Sequence, residues 1–197
     1  YSYQFLYSCY LMLSCKDENA VFNLEGIEDI DKIVSTSDEQ KTMHIQLKYS
    51  ENKQDASFMK SVLKNFLEAY LLDKNRTFKL VYDFSVAKGH LSKLVNNILD
   101  SEELQYWKDT VDEIKNENPQ WNWHQLDLDD FISKISYENI KKAVLAERVE
   151  VALIENYDIT TDNIKLFANS IKMFCFEKME TRSAVSLNDL KHQIELV

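Results

Sequence analysis

The stretch AVFNLEGIEDIDKIVSTSDEQKTMHIQLKYS, residues 20–50, decides the fold because it contains three strand patterns in close succession. Residues 20–25 are rich in strand-forming side chains, Gly26 then allows a sharp turn or bulge, and residues 28–34 form a second strand pattern. A polar loop over residues 35–41 then leads to residues 42–49, where apolar and polar side chains alternate strictly. We therefore predict an antiparallel meander of three strands.

The alternation also predicts which side chains share a face of this sheet, because successive residues of a strand point to opposite sides. The third strand has His44, Gln46 and Lys48 on its polar face. On the second strand, Asp29 and Asp31 share a face for the same reason. Since a short hairpin joins the two strands, the pairs Asp29-x-Asp31 and Gln46-x-Lys48 can lie side by side.

Carboxylates, an amide and an ammonium on one face suit the hydrolysis of a phosphodiester. Mg²⁺ takes oxygen ligands, and it can activate an attacking water and neutralise charge on the phosphate. In this interpretation Asp29 anchors the metal, Gln46 offers an amide oxygen, and Lys48 orients the water or stabilises the transition state. Either pattern alone is more typical of a solvated strand face, so the hypothesis depends on both occurring together. His44 is better explained as a polar strand residue than as a catalytic base.

The flanking sequence extends the pattern in both directions. Residues 2–15 have the apolar periodicity of a helix, and residues 58–72 have an apolar helical stripe. Residues 77–82 alternate again and predict a fourth strand. A helix between the third and fourth strands predicts a crossover connection with those two strands parallel.

The rest of the chain is predicted to be helical, with residues 117–126, which contain the single proline, as a connector. The predicted helices cover residues 89–99, 101–116, 127–135, 138–156, 160–180 and 187–196. Three of them have good N-cap residues at or near their start, namely Asp127, Thr161 and Ser186. We therefore expect an α/β (α+β) fold with a small mixed sheet flanked by helices and a C-terminal helical lobe. Residues 1–100 would form the core, and residues 101–197 a helical lobe of the same domain.

Charge is unevenly distributed along this acidic chain, whose formal net charge is −10. Between Lys41 and Lys93 there are ten Lys or Arg against five Asp or Glu, a net charge of +5. Between Asp100 and Asp158 there are six Lys or Arg against fifteen Asp or Glu, a net charge of −9. The basic segment is compatible with a DNA-facing side, although an uneven solvated surface has the same composition.

Composition excludes several other classes. Only two glycines and one proline make a many-stranded barrel improbable. The three cysteines match no zinc template and indicate reduced thiols in a cytoplasmic protein. The apolar stretch over residues 5–13 is too short to cross a membrane, so no membrane partner is expected. No phosphate-binding glycine motif and no nucleophile elbow occur in the sequence.

With these elements in order, the chain resembles the PD-(D/E)xK, or restriction-endonuclease-like, superfamily. The segments YQFLYSCYLML (3–13), FNLEGIEDID (22–31) and HIQLKYS (44–50) are similar to the nuclease domains of bacterial anti-phage effectors. These include the double-stranded DNA endonucleases of cyclic-oligonucleotide (CBASS) systems and the STAND-fused and Lamassu-type nucleases. The later segment LDLDDFISKISYENI (126–140) is also similar, so the resemblance covers nearly the whole chain.

The resemblance implies metal-dependent cleavage of double-stranded DNA with Mg²⁺, or Mn²⁺, as cofactor. It also implies activation by a sensor domain or partner subunit, or by assembly into a homo-oligomer. Matched residue by residue, it places the metal-binding acid at Asp29 and the Gln-x-Lys pair at Gln46 and Lys48. Secondary candidates are Glu25, Asp31 and Gln4. Gln46 departs from the pattern, because many superfamily members have an acid there.

Two other hypotheses remain open from the sequence. The chain could be a catalytically inactive interaction or oligomerisation module that keeps the nuclease fold, or a nuclease of the same fold that acts on RNA. Retention of both the acid and the lysine favours catalysis. The tryptophans are predicted to pack in the protein interior. Lysines that are candidates for phosphate contacts are Lys53, Lys60, Lys64, Lys88 and Lys93.

Overall fold

The computed structural model describes residues 2–25 and 29–197, and of Glu25 it describes the backbone alone. The strands in this part of the chain are β1 (Ala20–Glu25), β2 (Asp29–Ser35), β3 (Gln40–Ser50), β4 (Thr77–Phe84), β5 (Ile135–Asn139) and β6 (Ala184–Ser186). The helices are α1 (Ser2–Ser14), α2 (Ala56–Leu72), α3 (Gly89–Val95), α4 (Ser101–Glu117), α5 (Leu128–Ser133), α6 (Lys142–Tyr157), α7 (Ile164–Glu180) and α8 (Leu187–Glu195). The mixed α/β class with a C-terminal helical part is therefore confirmed.

The six strands form one sheet in the order β5-β4-β3-β2-β1-β6. The predicted meander is confirmed, since β1 pairs with β2 and β2 with β3, both antiparallel. The fourth strand, β4, lies next to β3 as the crossover prediction requires. Just beyond the ends of these two strands, Gln54 and Ala87 form an isolated parallel bridge.

Two short strands are missing from the sequence prediction. β5 falls across the predicted end of one helix and the predicted start of the next, and β6 lies just before α8. β6 pairs antiparallel with β1, so that Val185 lies opposite Phe22. Both strands occupy the edges of the sheet. Five and three residues are too few for a period of two to be distinguished from irregular chain.

Local capping explains several helix starts. Asp55 Oδ1 accepts a hydrogen bond from the Ser57 amide at the start of α2, and Asp127 caps α5 as predicted. Ser186 caps α8 in a capping box with Asp189, which is also as predicted. The prediction for Thr161 is wrong, because the residue before the first turn of α7 is Asn163, which makes no side-chain cap.

Contacts divide the chain into two compact units, one formed by the segment that ends at Leu47 with Asn139–Val197, the other by Lys48–Glu138. In the first unit α1 packs against α6, α7 and α8. The largest fully buried side chains of its core include Tyr3, Tyr7, Phe22, Met12, Leu13, Leu24, Ile30 and Ile45.

The core of the second unit is aromatic. Phe66 of α2 packs on Phe78 of β4 with ring centroids 5.0 Å apart, and Phe131 lies 5.8 Å from Phe78. Trp107 is buried in this core, and Trp121 and Trp123 stack on each other against it. The prediction that the tryptophans are packing residues is confirmed. Within the described residues, no helix is both long and apolar enough to cross a membrane.

Candidate active site

The register of β2 and β3 brings together the two patterns that the sequence singled out. Asp29 lies directly opposite Gln46, and Asp31 lies directly opposite His44. Directly opposed residues of an antiparallel pair project from the same side of the sheet. The two polar pairs, Asp29 with Gln46 and Asp31 with His44, therefore lie side by side on one face of the sheet. The apolar pair Ile30 and Ile45 lies between them along the strands and projects from the opposite face.

Gln46 is the unusual member of this group because it is a buried amide. Its side chain belongs to a residue that is only 2% exposed. Its Oε1 atom has no hydrogen-bond partner among the described residues. A buried carbonyl oxygen without a partner costs about 1–3 kcal/mol. Such an atom calls for an explanation, and a bound water or ion is one that would supply the missing interaction.

Asp29 faces this amide from β2. Its Oδ1 atom is also shielded from solvent. The carboxylate and the amide thus place two hard oxygen donors on opposed positions of one strand pair. These donors are of the kind that Mg²⁺ and Mn²⁺ prefer.

Asp31 is engaged elsewhere. Its Oδ1 lies 2.6 Å from Nδ1 of His44, and each side chain is 13% exposed. With Nδ1 protonated, His44 is the donor and the Asp31 carboxylate the acceptor. Asp31 was predicted as the rival of Asp29 for the metal-binding role, and the choice between the two stays a prediction. Sequence reasoning had placed both residues on polar faces but lacked the register that pairs them.

Lys48 comes two residues after Gln46 on the same strand, β3. Strand alternation therefore directs its side chain to the same side as Gln46. β3 is thus the element that carries both the amide and the ammonium of the predicted pair.

Of the secondary candidates, Gln4 lies on α1 in the same unit as Asp29 and Gln46. Gln4 is buried, and its Oε1 atom, like that of Gln46, has no hydrogen-bond partner in the described part of the chain. Glu25 ends β1, and its backbone pairs with that of Asp29. The side chain of Glu25 lies outside the described residues, so its predicted role stays a prediction.

The side-chain oxygens of Asp29 and Gln46 are the type of ligand atom that a hard divalent cation prefers. Across residues 2–25 and 29–197, no group of three or more His, Cys, Asp or Glu side chains is arranged to hold a metal. What the site offers instead is one carboxylate, from Asp29, and a buried amide oxygen, from Gln46, that lacks a partner. A site with so few negative charges holds a metal through oxygen donors and water more than through charge.

The basic and acidic segments of the second unit pair with each other. Lys60 Nζ lies 3.0 Å from Glu113 and 2.8 Å from Glu117. Lys93 Nζ lies 2.6 Å from Glu103. Two of the predicted phosphate-contacting lysines are therefore already engaged in ion pairs, and their charge is partly neutralised for any DNA partner.

Glu103 lies at the centre of a second polar group, which the sequence did not predict. This carboxylate has no exposed surface, and it accepts hydrogen bonds from Lys93 and from Nδ1 of His90. The Lys93 hydrogen bond, with help from His90, holds the pKa of Glu103 below its usual value of 4.5. The His90 ring stacks on Tyr106 with centroids 3.6 Å apart. The group orders α3 against α4.

Comparison with solved structures shows which known proteins share the fold of this chain. No protein-family model matches the chain, and no curated protein sequence matches it either. The Cap4 SAVED/CARF-domain containing receptor of Acinetobacter baumannii, with the cyclic trinucleotide 3'3'3'-cAAA, matches with a TM-score of 0.65 and 14% identity. That match covers 98% of this chain and 43% of the receptor.

Two further solved structures agree. The Cap4 receptor of Moraxella osloensis has a TM-score of 0.63 and 13% identity, over 98% of this chain and 47% of the receptor. The Acinetobacter baumannii receptor with 2'3'3'-cAAA has a TM-score of 0.65 and 13% identity. That match covers 98% of this chain and 44% of the receptor. At these identities the matches show a shared fold. The chain spans under half of the length of each receptor.

Proposed function

We propose that this chain is the metal-dependent endonuclease domain of a bacterial anti-phage effector and that it hydrolyses phosphodiester bonds of double-stranded DNA. One observation carries the proposal. Asp29 lies opposite Gln46, whose buried Oε1 has no partner among the described residues, and Lys48 follows on the same strand. A carboxylate and an amide oxygen can bind a divalent cation, and an ammonium can stabilise the charge that develops on the phosphate.

In this proposal Asp29 and Gln46 hold Mg²⁺ or Mn²⁺ through their side-chain oxygens. The bound ion would lower the pKa of a coordinated water and neutralise charge on the phosphate. Lys48 supplies a positive charge at the reacting group, where it orients the attacking water or stabilises the pentavalent phosphorus. Burial of Gln46 strengthens these interactions because the surroundings are less polar than water.

The choice of DNA as substrate and the role in defence rest on the resemblance of the segments over residues 3–13, 22–31 and 44–50 to anti-phage nuclease domains. The fold shared with Cap4 receptors supports a place in such an effector. Since the matched segment is under half of each receptor, we propose that a sensor domain or partner subunit controls this domain. The overall acidity and the engaged lysines agree with a weak basal affinity for DNA.

The first test is cleavage of plasmid and linear duplex DNA by the chain, together with its sensor partner where one exists, in Mg²⁺, Mn²⁺ or EDTA. We expect metal-dependent cleavage that Lys48→Ala reduces by a factor on the order of 10² or more. The matched control is Lys41→Ala, which removes a lysine from the exposed start of the same strand. Equal activity of both variants, or cleavage in EDTA, would contradict the proposal. The same reactions with duplex RNA separate the two possible substrates.

Metal binding is measured separately from activity. Isothermal titration with Mn²⁺ should show a site in the unmodified chain that is lost in Asp29→Asn and retained in Lys48→Ala. If Asp29→Asn binds Mn²⁺ as well as the unmodified chain, the assignment of the metal site is wrong even where cleavage is observed.

A second candidate function is recognition of a cyclic oligonucleotide. The observation that favours it is that two of the matching Cap4 receptor structures contain a cyclic trinucleotide. The shared fold covers less than half of those receptors, and it does not place the ligand within the matched part. Titration of the chain with 3'3'3'-cAAA and 2'3'3'-cAAA tests this function. Binding by the chain, together with intact DNA in the cleavage assay, would replace the nuclease proposal with a sensor.

A further inference from the structure

The outward face of α7 carries a stripe of exposed apolar side chains. Leu166 is 58% exposed, Met173 is 60% exposed and Phe176 is 49% exposed. They follow one another at spacings of seven and three residues, which places them on one side of a helix. The opposite side of α7 is buried in the core of its unit. Exposed apolar side chains that share one helix face form a candidate interaction surface.

Phe176 is held in place for such a contact. Its ring meets that of Phe5, on α1, edge to face with centroids 6.4 Å apart. A ring fixed in this way loses little conformational freedom when a partner covers it. The stripe, defined as Leu166, Asn169, Met173 and Phe176, is therefore an ordered surface about three turns long.

The charges along the two sides of the stripe restrict what can cover it. Lys165 and Lys172 flank it on one side, and Ser170 and Glu177 flank it on the other, as heptad positions g and e flank a coiled-coil seam. Lys165 is already paired with Glu150 of α6. Neither Lys172 nor Glu177 forms a salt bridge with another residue in the described part of the chain. The positive charge of Lys172 and the negative charge of Glu177 thus lie on opposite sides of the stripe.

We propose that this stripe is covered by the same stripe of a second copy of the chain, with the two α7 helices parallel. In a parallel pair, the g side of one helix meets the e side of the other, so Lys172 of each copy lies near Glu177 of its partner. An antiparallel pair would bring lysine against lysine on one side. Asn169 would meet its own copy across the two-fold axis, where a polar pair fixes the register.

The proposal goes beyond the nuclease function and does not depend on it, because association is measured without any cleavage assay. The surface is small, so we expect a weak dimer. Analytical ultracentrifugation of the 197-residue chain over a range of concentrations up to about 1 mM gives the dissociation constant. A chain that stays monomeric throughout that range would overturn the proposal.

Charge reversal tests the parallel arrangement. Lys172→Glu or Glu177→Lys alone should raise the dissociation constant by about tenfold, since each introduces two repulsive pairs in the dimer. The double variant Lys172→Glu/Glu177→Lys should return to within about threefold of the unmodified value. Residues 172 and 177 are five apart and do not contact each other within one helix, so recovery identifies a contact between copies. If the double variant raises the dissociation constant by the product of the two single effects, the parallel arrangement is wrong.

A substitution in the stripe tests the surface itself. Met173→Glu should abolish the dimer while circular dichroism and the melting temperature stay close to those of the unmodified chain, because the side chain is mostly exposed. Leu72→Glu is the matched control, as Leu72 is an isolated exposed leucine at the end of α2. A dimer that survives Met173→Glu, or is lost equally in Leu72→Glu, would assign the contact to another surface.

Discussion

Asp31 and His44 form a hydrogen bond of 2.6 Å across β2 and β3, one row away from Asp29 and Gln46. Two aspartates that share a strand face therefore have different surroundings. Asp31 is held by an imidazole, whereas Asp29 faces an amide whose oxygen is buried and lacks a partner among the described residues. From this difference we predict that Asp29 binds the metal of the proposed nuclease site and that Asp31 supports it.

The first prediction concerns these two aspartates. Asp29→Asn should lower the rate of DNA cleavage by a factor on the order of 10³ and abolish Mn²⁺ binding, because it removes the carboxylate of the donor set. Asp31→Asn should lower the rate by only about tenfold, in the range of residues that support a ligand without contacting the metal. Initial cleavage rates and Mn²⁺ titrations of both variants measure the difference. Equal losses in the two variants would show that Asp31 shares the metal-binding role.

The second prediction uses Gln46. In Gln46→Glu, a carboxylate would lie directly opposite Asp29, and like charges at such positions destabilise a strand pair. In EDTA we expect the free energy of unfolding to fall by about 1–3 kcal/mol. Mn²⁺ should restore more stability in this variant than in the unmodified chain, since a second carboxylate holds the cation. Urea denaturation with and without Mn²⁺ measures both effects. Gln40→Glu, at the exposed start of β3, is the control and should show neither.

Much of the site could be predicted because strand periodicity is local. The sequence 42–49 fixes which side chains share a face of β3, and the short hairpin fixes β2 as its neighbour. The sequence could not give the register, and the register decides that Asp29 opposes Gln46 while Asp31 opposes His44. A shift by one residue would have placed these side chains on the other face.

The parts of the fold that escaped prediction depend on distant contacts. β5 and β6 are short segments that become strands only because β4 and β1 offer edges to pair with. The hydrogen bonds of Glu103 to His90 and Lys93 join residues more than nine positions apart on two helices. A helical pattern in the sequence indicates that these helices exist and does not indicate how they pack.

The third prediction concerns the cysteines. Cys9 and Cys175 are buried, and the contact with Cys9, together with burial, raises the pKa of the Cys175 thiol. Because both thiols are buried, neither should be alkylated in the folded chain. Cys15 is partly exposed and should react. Iodoacetamide labelling followed by mass spectrometry should find one modified cysteine in the native chain and three in urea. The Cys15→Ser variant should show none under native conditions, and labelling at Cys175 there would contradict its burial.

The fourth prediction concerns acid stability. Lys93 and His90 hold the pKa of Glu103 below 4.5, so the ionised carboxylate stabilises the fold above that pH. The stabilisation is lost as the pH falls from 4.5 towards the lowered pKa, because protons then bind the unfolded chain more readily. Glu103→Gln removes the titrating group, so its deficit in unfolding free energy should be largest above pH 5 and shrink towards pH 3. Urea denaturation across this range measures the deficit. Glu102→Gln, on the exposed first turn of α4, is the control. A deficit in Glu103→Gln that stays constant from pH 6 to pH 3 would mean that packing alone, and not the ion pair, makes Glu103 important.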